Sequence, residues 1–311
     1  MTKRSSVVFV LAMIVSICFS SFAGEQGHYT PGSWGCRDLT APPPGTVIVA
    51  PYLAGYHANI ARDGKGHVID GSDGIAVSAN SWMFQLALGY APELDVLGAD
   101  WGMMILPGYG EAGASARFTK DKGGHVLFDN NGQGLSDLYV IPTTLTWHIN
   151  SYWDISAQYG FWAPIGKYDS RRADNVGLGY WSHDFRGTLS YYPLGNPGLL
   201  LFASALHEIN SDKEGFDLVP APHSSLEMGA SMAFSEKIIC GLMTYGVWET
   251  GETRGTDASE DGYDRMYGVA AETAYWFYPG TFGCTVRLAK EFMVRDRFEG
   301  WTLVGGLNFL F

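Results

Sequence analysis

No stretch after residue 23 approaches the roughly 20 consecutive apolar residues that a helix needs to cross a bilayer. The longest candidate, Gly198–Leu206, is about half that length and runs into His207 and Glu208. Charge is scarce as well. Asp, Glu, Lys and Arg make up 17 % of the chain, against roughly 25 % in an average soluble domain. Basic residues are the scarcer sign, 20 against 32 acids, which excludes no fold but argues against nucleic acid as a partner, since that needs basic surface. No Cys-x-x-Cys or Cys-x-x-His spacing occurs among the four cysteines, so a structural zinc site has no ligand set. Gly-x-Ser-x-Gly, the mark of a nucleophile elbow, is absent. So is any nucleotide loop or cofactor motif. The reading is therefore of a non-enzyme without metal or cofactor. Low charge suits a membrane, and without spanning helices only a closed barrel satisfies every backbone group in hydrocarbon.

What is present fits that alternative. Lys3 and Arg4, the apolar core Val7–Val15 and the small-x-small site Ser21-Phe22-Ala23 form a secretory signal peptide over residues 1–23, with Gly24 expected to begin the mature chain. Its removal leaves 18 basic and 32 acidic residues, a net charge of −14. Cys36, Cys240 and Cys284 then remain, an odd number that cannot be fully paired. Residues 24–45 read as an irregular segment, marked by Pro31-Gly32 and Pro42–Gly45. This segment is expected either to enter a lumen as a plug or to hang in the periplasm.

From residue 46 onward, segments of alternating polarity run to the end. Trp82, Phe84, Leu86, Leu88 and Tyr90 alternate with Ser81, Met83, Gln85, Ala87 and Gly89. Similar two-faced runs cover 152–161, 225–234 and 282–289. Period two places each set on one face of a strand. Twelve strands are expected, near 46–60, 80–92, 97–110, 137–149, 151–164, 180–192, 199–210, 223–235, 237–249, 262–278, 281–294 and 297–311. The gaps between them alternate long and short, the rhythm of a bacterial barrel with outer loops and tight periplasmic turns. Forty glycines, 10 Trp, 17 Tyr and 17 Phe suit turns and interfacial girdles. The expected fold is all-β: a transmembrane antiparallel up-and-down β-barrel of about 12 strands over 46–311, in the outer membrane of a Gram-negative bacterium. Phe311 and Phe309 end the last strand on an alternating apolar face, and resemble the signal read by the barrel assembly machinery.

Several motifs resemble one family, that of the MetA pathway of phenol degradation. They are Gly27-His28-Tyr29-Thr30-Pro31-Gly32 with Pro43-Pro44-Gly45; Gly134-Leu135-Ser136-Asp137-Leu138-Tyr139-Val140-Ile141-Pro142; Phe161–Asp169 with Asn175-Val176-Gly177; and Gly268-Val269-Ala270-Ala271-Glu272. The family often has proline where Ala271 stands. The resemblance implies an outer-membrane barrel associated with catabolism of aromatic or other hydrophobic compounds. It implies passive uptake of small hydrophobic solutes.

If the apolar faces meet lipid, the opposite faces line a lumen. They carry Asp100, Asp154, Asp184, Arg186, Glu208, Glu227, Glu272, Arg287 and Glu291. An unpaired base facing hydrocarbon at midplane costs roughly 2–4 kcal/mol, so inward placement is the consistent reading. Such charges either set permeation selectivity or pair across the barrel as a polar filling. Trp162, Met83, Met104, Phe202 and Trp276 fall on the same inner faces and would suit a path for hydrophobic solutes. His183 falls on the outer face near a girdle. The acid-rich loop Glu249–Asp264 either binds divalent cations that bridge lipopolysaccharide or is simply solvated. Outer-membrane lipid and lipopolysaccharide are the expected surroundings. A structural or adhesive barrel without transport is the main alternative, and a lipid hydrolase using His148 or His207 is a weaker one.

Overall fold

The computed structural model describes residues 27–39, 42–69, 75–118, 126–172, 175–258 and 264–311. The expected signal peptide, 1–23, lies outside the described residues. No described helix is long and apolar enough to cross a membrane. Strands do the crossing. They are β1 (Thr46–Arg62), β2 (Ile75–Ala91), β3 (Asp95–Val96), β4 (Ala99–Leu106), β5 (Gly108–Phe118), β6 (Val126–Leu135), β7 (Leu138–Asn150), β8 (Trp153–Ala163), β9 (Ser182–Tyr191), β10 (Leu199–Asn210), β11 (His223–Ala233), β12 (Ile238–Glu249), β13 (Arg265–Tyr278), β14 (Phe282–Arg295) and β15 (Arg297–Leu310).

All belong to one sheet in which every pairing is antiparallel, and from β7 to β15 each strand pairs with its sequence neighbours. The sheet closes because β1 pairs with both β2 and β15, from Ile48↔Leu310 to Arg62↔Arg297 on the β15 side. β4 and β5 form a single wall strand interrupted at Pro107, which has no N–H to donate. β6 and β7 likewise form one, broken at Ser136-Asp137. β2 follows the first of these across its break, pairing with β5 up to Gln85↔Gly108 and with β4 from Leu88↔Ile105. β3 only folds back on β4. So counted, the wall is a closed ring of 12 antiparallel strands.

The expected loop over 111–136 is largely strand instead. β5 and β6 form a long hairpin there, from Tyr109↔Leu135 outward to Arg117↔Val126. β2 also starts earlier than expected, at Ile75. The reason is compositional. Ser78, Asn80, Glu111, Gly113, Ser115 and Asn131 lie beyond the girdle residues Trp82 and Tyr109. Above the hydrocarbon neither face needs to be greasy, so the alternation that marks a membrane strand is missing.

The burial pattern inverts that of a soluble protein. Along β9, Ser182, Asp184, Arg186, Thr188 and Ser190 are buried, whereas Phe185 and Leu189 are exposed. The same inversion holds on β8, β10 and β11. Hydrocarbon is the solvent for the outer face. The last strand follows the rule, with Trp301, Leu303 and Leu307 exposed and Val304 buried.

The ends of the barrel differ. On the side of the two termini, connections are tight. Asn150 Oδ1 accepts from the N–H groups of Tyr152 and Trp153 at 2.8 and 3.1 Å. The β9–β10 and β13–β14 turns use the left-handed glycines Gly195 and Gly280. On the other side the loops are longer and tied together. Val219 and Arg254 form a β-bridge between the β10–β11 and β12–β13 loops. Asp217 Oδ2 accepts from Thr256 Oγ1 at 2.7 Å and from its N–H at 3.1 Å.

Candidate functional site

The lumen is occupied by the chain itself. Residues 27–39 precede β1, and their backbone is held by carboxylates on the inner wall. Glu208 on β10 accepts from His28 N and Tyr29 N, both at 2.9 Å. Glu227 on β11 accepts from Gly32 N at 2.7 Å. Glu272 on β13 accepts from Cys36 N at 2.9 Å. Hydrogen bonds to charged acceptors contribute roughly 1.5–3 kcal/mol each, and here they satisfy backbone donors that a non-helical, non-sheet segment cannot satisfy alone. Gly32 is required by geometry. Its φ is +78°, and a Cβ would lie 2.6 Å from Cε1 of Tyr245.

Arginine closes the other side of the segment. Arg287 on β14 bonds Glu272 Oε2 through Nε at 3.1 Å and Asp38 Oδ2 through Nη2 at 3.3 Å. It also donates to the carbonyl of Ser33. Arg37 reaches Ser231 Oγ at 2.9 Å and Pro197 O at 2.6 Å. Cys36 is fully buried in an apolar cluster with Leu39, Phe202, Met243 and Tyr245. Burial first, and the neighbouring Glu272 second, push its thiol pKa upward, so it stays a thiol. Trp34 packs against this cluster and against a second one containing Ala50, Leu106, Tyr139 and Ile141.

His28 sits at the head of the segment. Its Nε2 is 2.9 Å from Asp137 Oδ2 and its Nδ1 is 2.7 Å from Ser182 Oγ. Ser182 in turn donates to Asn210 Oδ1 at 2.6 Å, while the Asn210 amide donates to Ala221 O at 2.8 Å. Both imidazole nitrogens thus have an oxygen within hydrogen-bond distance, so the ring is held in place from two sides. Asp137 has further duties. It accepts from Gly166 N at 2.9 Å and Leu178 N at 2.7 Å, both in the β8–β9 loop. One carboxylate thus joins the break between β6 and β7, an outer loop and the N-terminal segment.

The charged residues assigned to the lumen from sequence all lie on the inner wall. Asp184, Arg186, Glu208, Glu227, Arg287 and Glu291 are buried there. Asp100 and Asp154 flank His148 at the mouth nearer the termini, at 3.1 and 2.7 Å. Glu291 accepts from Gly300 N at 2.7 Å and Tyr56 Oη at 2.9 Å. Asp184 Oδ1 accepts from Tyr139 Oη at 3.0 Å. Arg186 Nη1 is 3.2 Å from Glu227 Oε2. Trp162 stacks on Tyr139 with centroids 4.2 Å apart, and His28 stacks on Trp162 at 5.2 Å. Met83, Met104, Phe202 and Trp276 share the inner register. His183 is on the outer face, stacked with Tyr159 and hydrogen-bonded to its hydroxyl at 2.8 Å.

Sequence reasoning missed Asp137, Ser182, His28, Tyr29 and Asp38 as site residues. Two of the resemblance motifs, Gly27–Gly32 and Gly134–Pro142, carried His28, Tyr29 and Asp137, and their meeting in space was the signal. A buried pair at the rim, Arg297 and Asp264 at 3.2 Å, was missed as well. Among the described residues, no group of three or more His, Cys, Asp or Glu side chains could hold a metal ion. Residues 259–263 of the acid-rich loop lie outside the described residues.

Residues 58–305 match the model of a family described as "Putative MetA-pathway of phenol degradation". Among solved structures, the COG4313 outer membrane channel from Pseudomonas putida F1 superimposes with a TM-score of 0.74 at 16 % identity, covering 91 % of this chain and 100 % of that one. The transport unit of the autotransporter AIDA-I from Escherichia coli gives 0.49 at 10 % identity, covering 96 % of each chain. The translocator domain of the autotransporter NalP from Neisseria meningitidis gives 0.48 at 7 % identity, covering 87 % and 90 %. The first likeness is one of fold, and the other two are too loose to carry an argument. A search of curated proteins returned no match.

Proposed function

The chain belongs to the phenol-degradation MetA-pathway family and is an outer-membrane, porin-like barrel, and from that premise we propose that it admits small hydrophobic solutes, aromatic ones among them, by passive diffusion past a displaceable N-terminal plug. The observation that carries this reading is the way residues 27–39 are seated. The plug is held by hydrogen bonds and ion pairs, and no disulfide cross-links it to the wall it faces, since Cys36 is a free thiol. A permanent filling needs no such reversible seat. The surfaces it covers are mixed, with Trp162, Tyr139, Phe202 and Met104 set among the charges. That lining suits a ring-bearing solute better than a sugar. The wall meets four plug amides, those of His28, Tyr29, Gly32 and Cys36, with carboxylates, so the open lumen would be acidic and would disfavour anions.

The test is solute entry into liposomes carrying the purified protein, comparing neutral aromatics, aromatic acids and sugars. Neutral aromatics should enter fastest. A chain lacking residues 24–45 should admit them faster still. Equal impermeability to all three, with and without the plug, would favour a structural or adhesive barrel. Release of fatty acid from the liposome lipid would favour a hydrolase.

A further inference from the structure

Tyr29 presents a phenol to the barrel wall, and the wall receives it as a binding site would. Its hydroxyl donates to Glu227 Oε2 at 2.6 Å. The guanidinium carbon of Arg186 lies 4.6 Å from the ring centroid. Arg186 Nη1 also bonds that same Glu227 oxygen, at 3.2 Å. A cation over the ring face and a carboxylate at the hydroxyl are the two contacts that distinguish a phenol from a plain arene. Both wall side chains are only 2 % exposed with Tyr29 seated, so the contacts to its ring and hydroxyl are made away from water. The site also has donors in reserve. Arg186 Nε and Nη2 are buried without hydrogen-bond partners. In a packed interior such groups are few, and each marks a place where another polar atom would be welcome.

The backbone of Tyr29 is held separately. Its N–H goes to Glu208, not to the residues around its ring. The ring and hydroxyl can therefore leave their pocket without first breaking the backbone contact. The neighbouring seat is also aromatic, because His28 lies against Trp162 and Tyr180. Two rings of the plug thus fill two ring-shaped places in the wall.

We propose that Arg186 and Glu227 form a binding site for phenolic compounds, occupied in this closed state by the plug's own Tyr29, and that an incoming phenol competes with Tyr29 and so loosens the plug. This rests on the channel reading and adds a substrate class and a means of opening. It makes specificity a property of the hydroxyl. A phenol can replace both contacts of Tyr29, whereas anisole or toluene can replace only the contact to Arg186.

Cys36 provides the readout, because it is fully buried while the plug is seated. Cys240 and Cys284 sit on outer-face positions of β12 and β14. In a mature chain starting at Gly24 with Cys240→Ala and Cys284→Ala, labelling by a membrane-impermeant maleimide reports plug release. Phenol and 4-methylphenol should speed labelling well beyond anisole and toluene at equal concentration. Tyr29→Phe should speed basal labelling about tenfold, the size of one charge-assisted hydrogen bond. Tyr29→Ala empties the seat, and 4-fluorophenol followed by fluorine NMR should then bind about tenfold more tightly than to the parent chain, which must first displace its own ring. Equal labelling with phenol and anisole, or unchanged 4-fluorophenol binding in Tyr29→Ala, would overturn the proposal. Toluene entry is followed in the same vesicles. Entry without a phenol-specific effect leaves the channel standing and removes the site. A phenol-specific effect without entry of any solute does the reverse.

Discussion

Three glutamates hold the plug by its main chain, and a single aspartate holds its head. These are the residues at which closure can be tested. Gly32→Ala places a methyl group against Tyr245 at a left-handed backbone position, so it should unseat the middle of the plug while leaving every wall strand intact. Faster maleimide labelling of Cys36 at unchanged heat-resistant mobility on gels would show this. Asp137→Asn retains one acceptor oxygen but turns an N–H₂ toward donors. It should weaken the His28 contact and one loop contact together, by roughly 1.5–3 kcal/mol each. Hydrogen exchange at Gly166 and Leu178 should quicken along with Cys36 labelling. Quickening at the loop alone would mean that the two are not coupled. The inward placement expected for Glu208, Glu227 and Glu272 rested on period two and on the cost of facing a charge to hydrocarbon. Their partners could not be read in this way, because contacts between residues some 180 to 240 positions apart leave no local pattern.

At the scale of elements, membrane-spanning segments declared themselves and extramembrane ones did not. β9, β10 and β11 alternate most cleanly because one face meets hydrocarbon. The β5–β6 hairpin has no such obligation, and its Gly-, Ala- and Ser-rich run reads as a loop. The outer loops form a cap in which the β10–β11 and β12–β13 connections share a bridge and the Asp217–Thr256 contacts. The contacts from Thr256 hold Asp217 below its ordinary carboxylate pKa. Gly255 makes the close approach possible. Its φ is +116°, and a Cβ would collide with the carbonyl of Asp217. Gly255→Ala should therefore part the two loops. Protease nicking between 211 and 222 should rise several-fold in intact cells, with no loss of the folded barrel.

At the scale of the molecule, closure of the ring depends on the pairing of β1 with β15. Phe311 lies just past that seam, with its N–H and carbonyl bonded to Val47 at 3.0 and 2.9 Å. We propose that it also marks the chain for the assembly machinery. Deleting Phe311 should cut the amount of barrel inserted much more than it alters transport by the barrels that do insert. Normal insertion of the shortened chain would count against that role. The seam has one more consequence, for the order of events. The plug precedes β1, yet its polar contacts run from Asp137 and β9 round to β14, and a lumen to receive it exists only once β1 has met β15. The segment that precedes the first wall strand is therefore the one that settles last. Its docking should appear as a separate late phase in refolding, after strand pairing is complete and with the barrel briefly open at both ends.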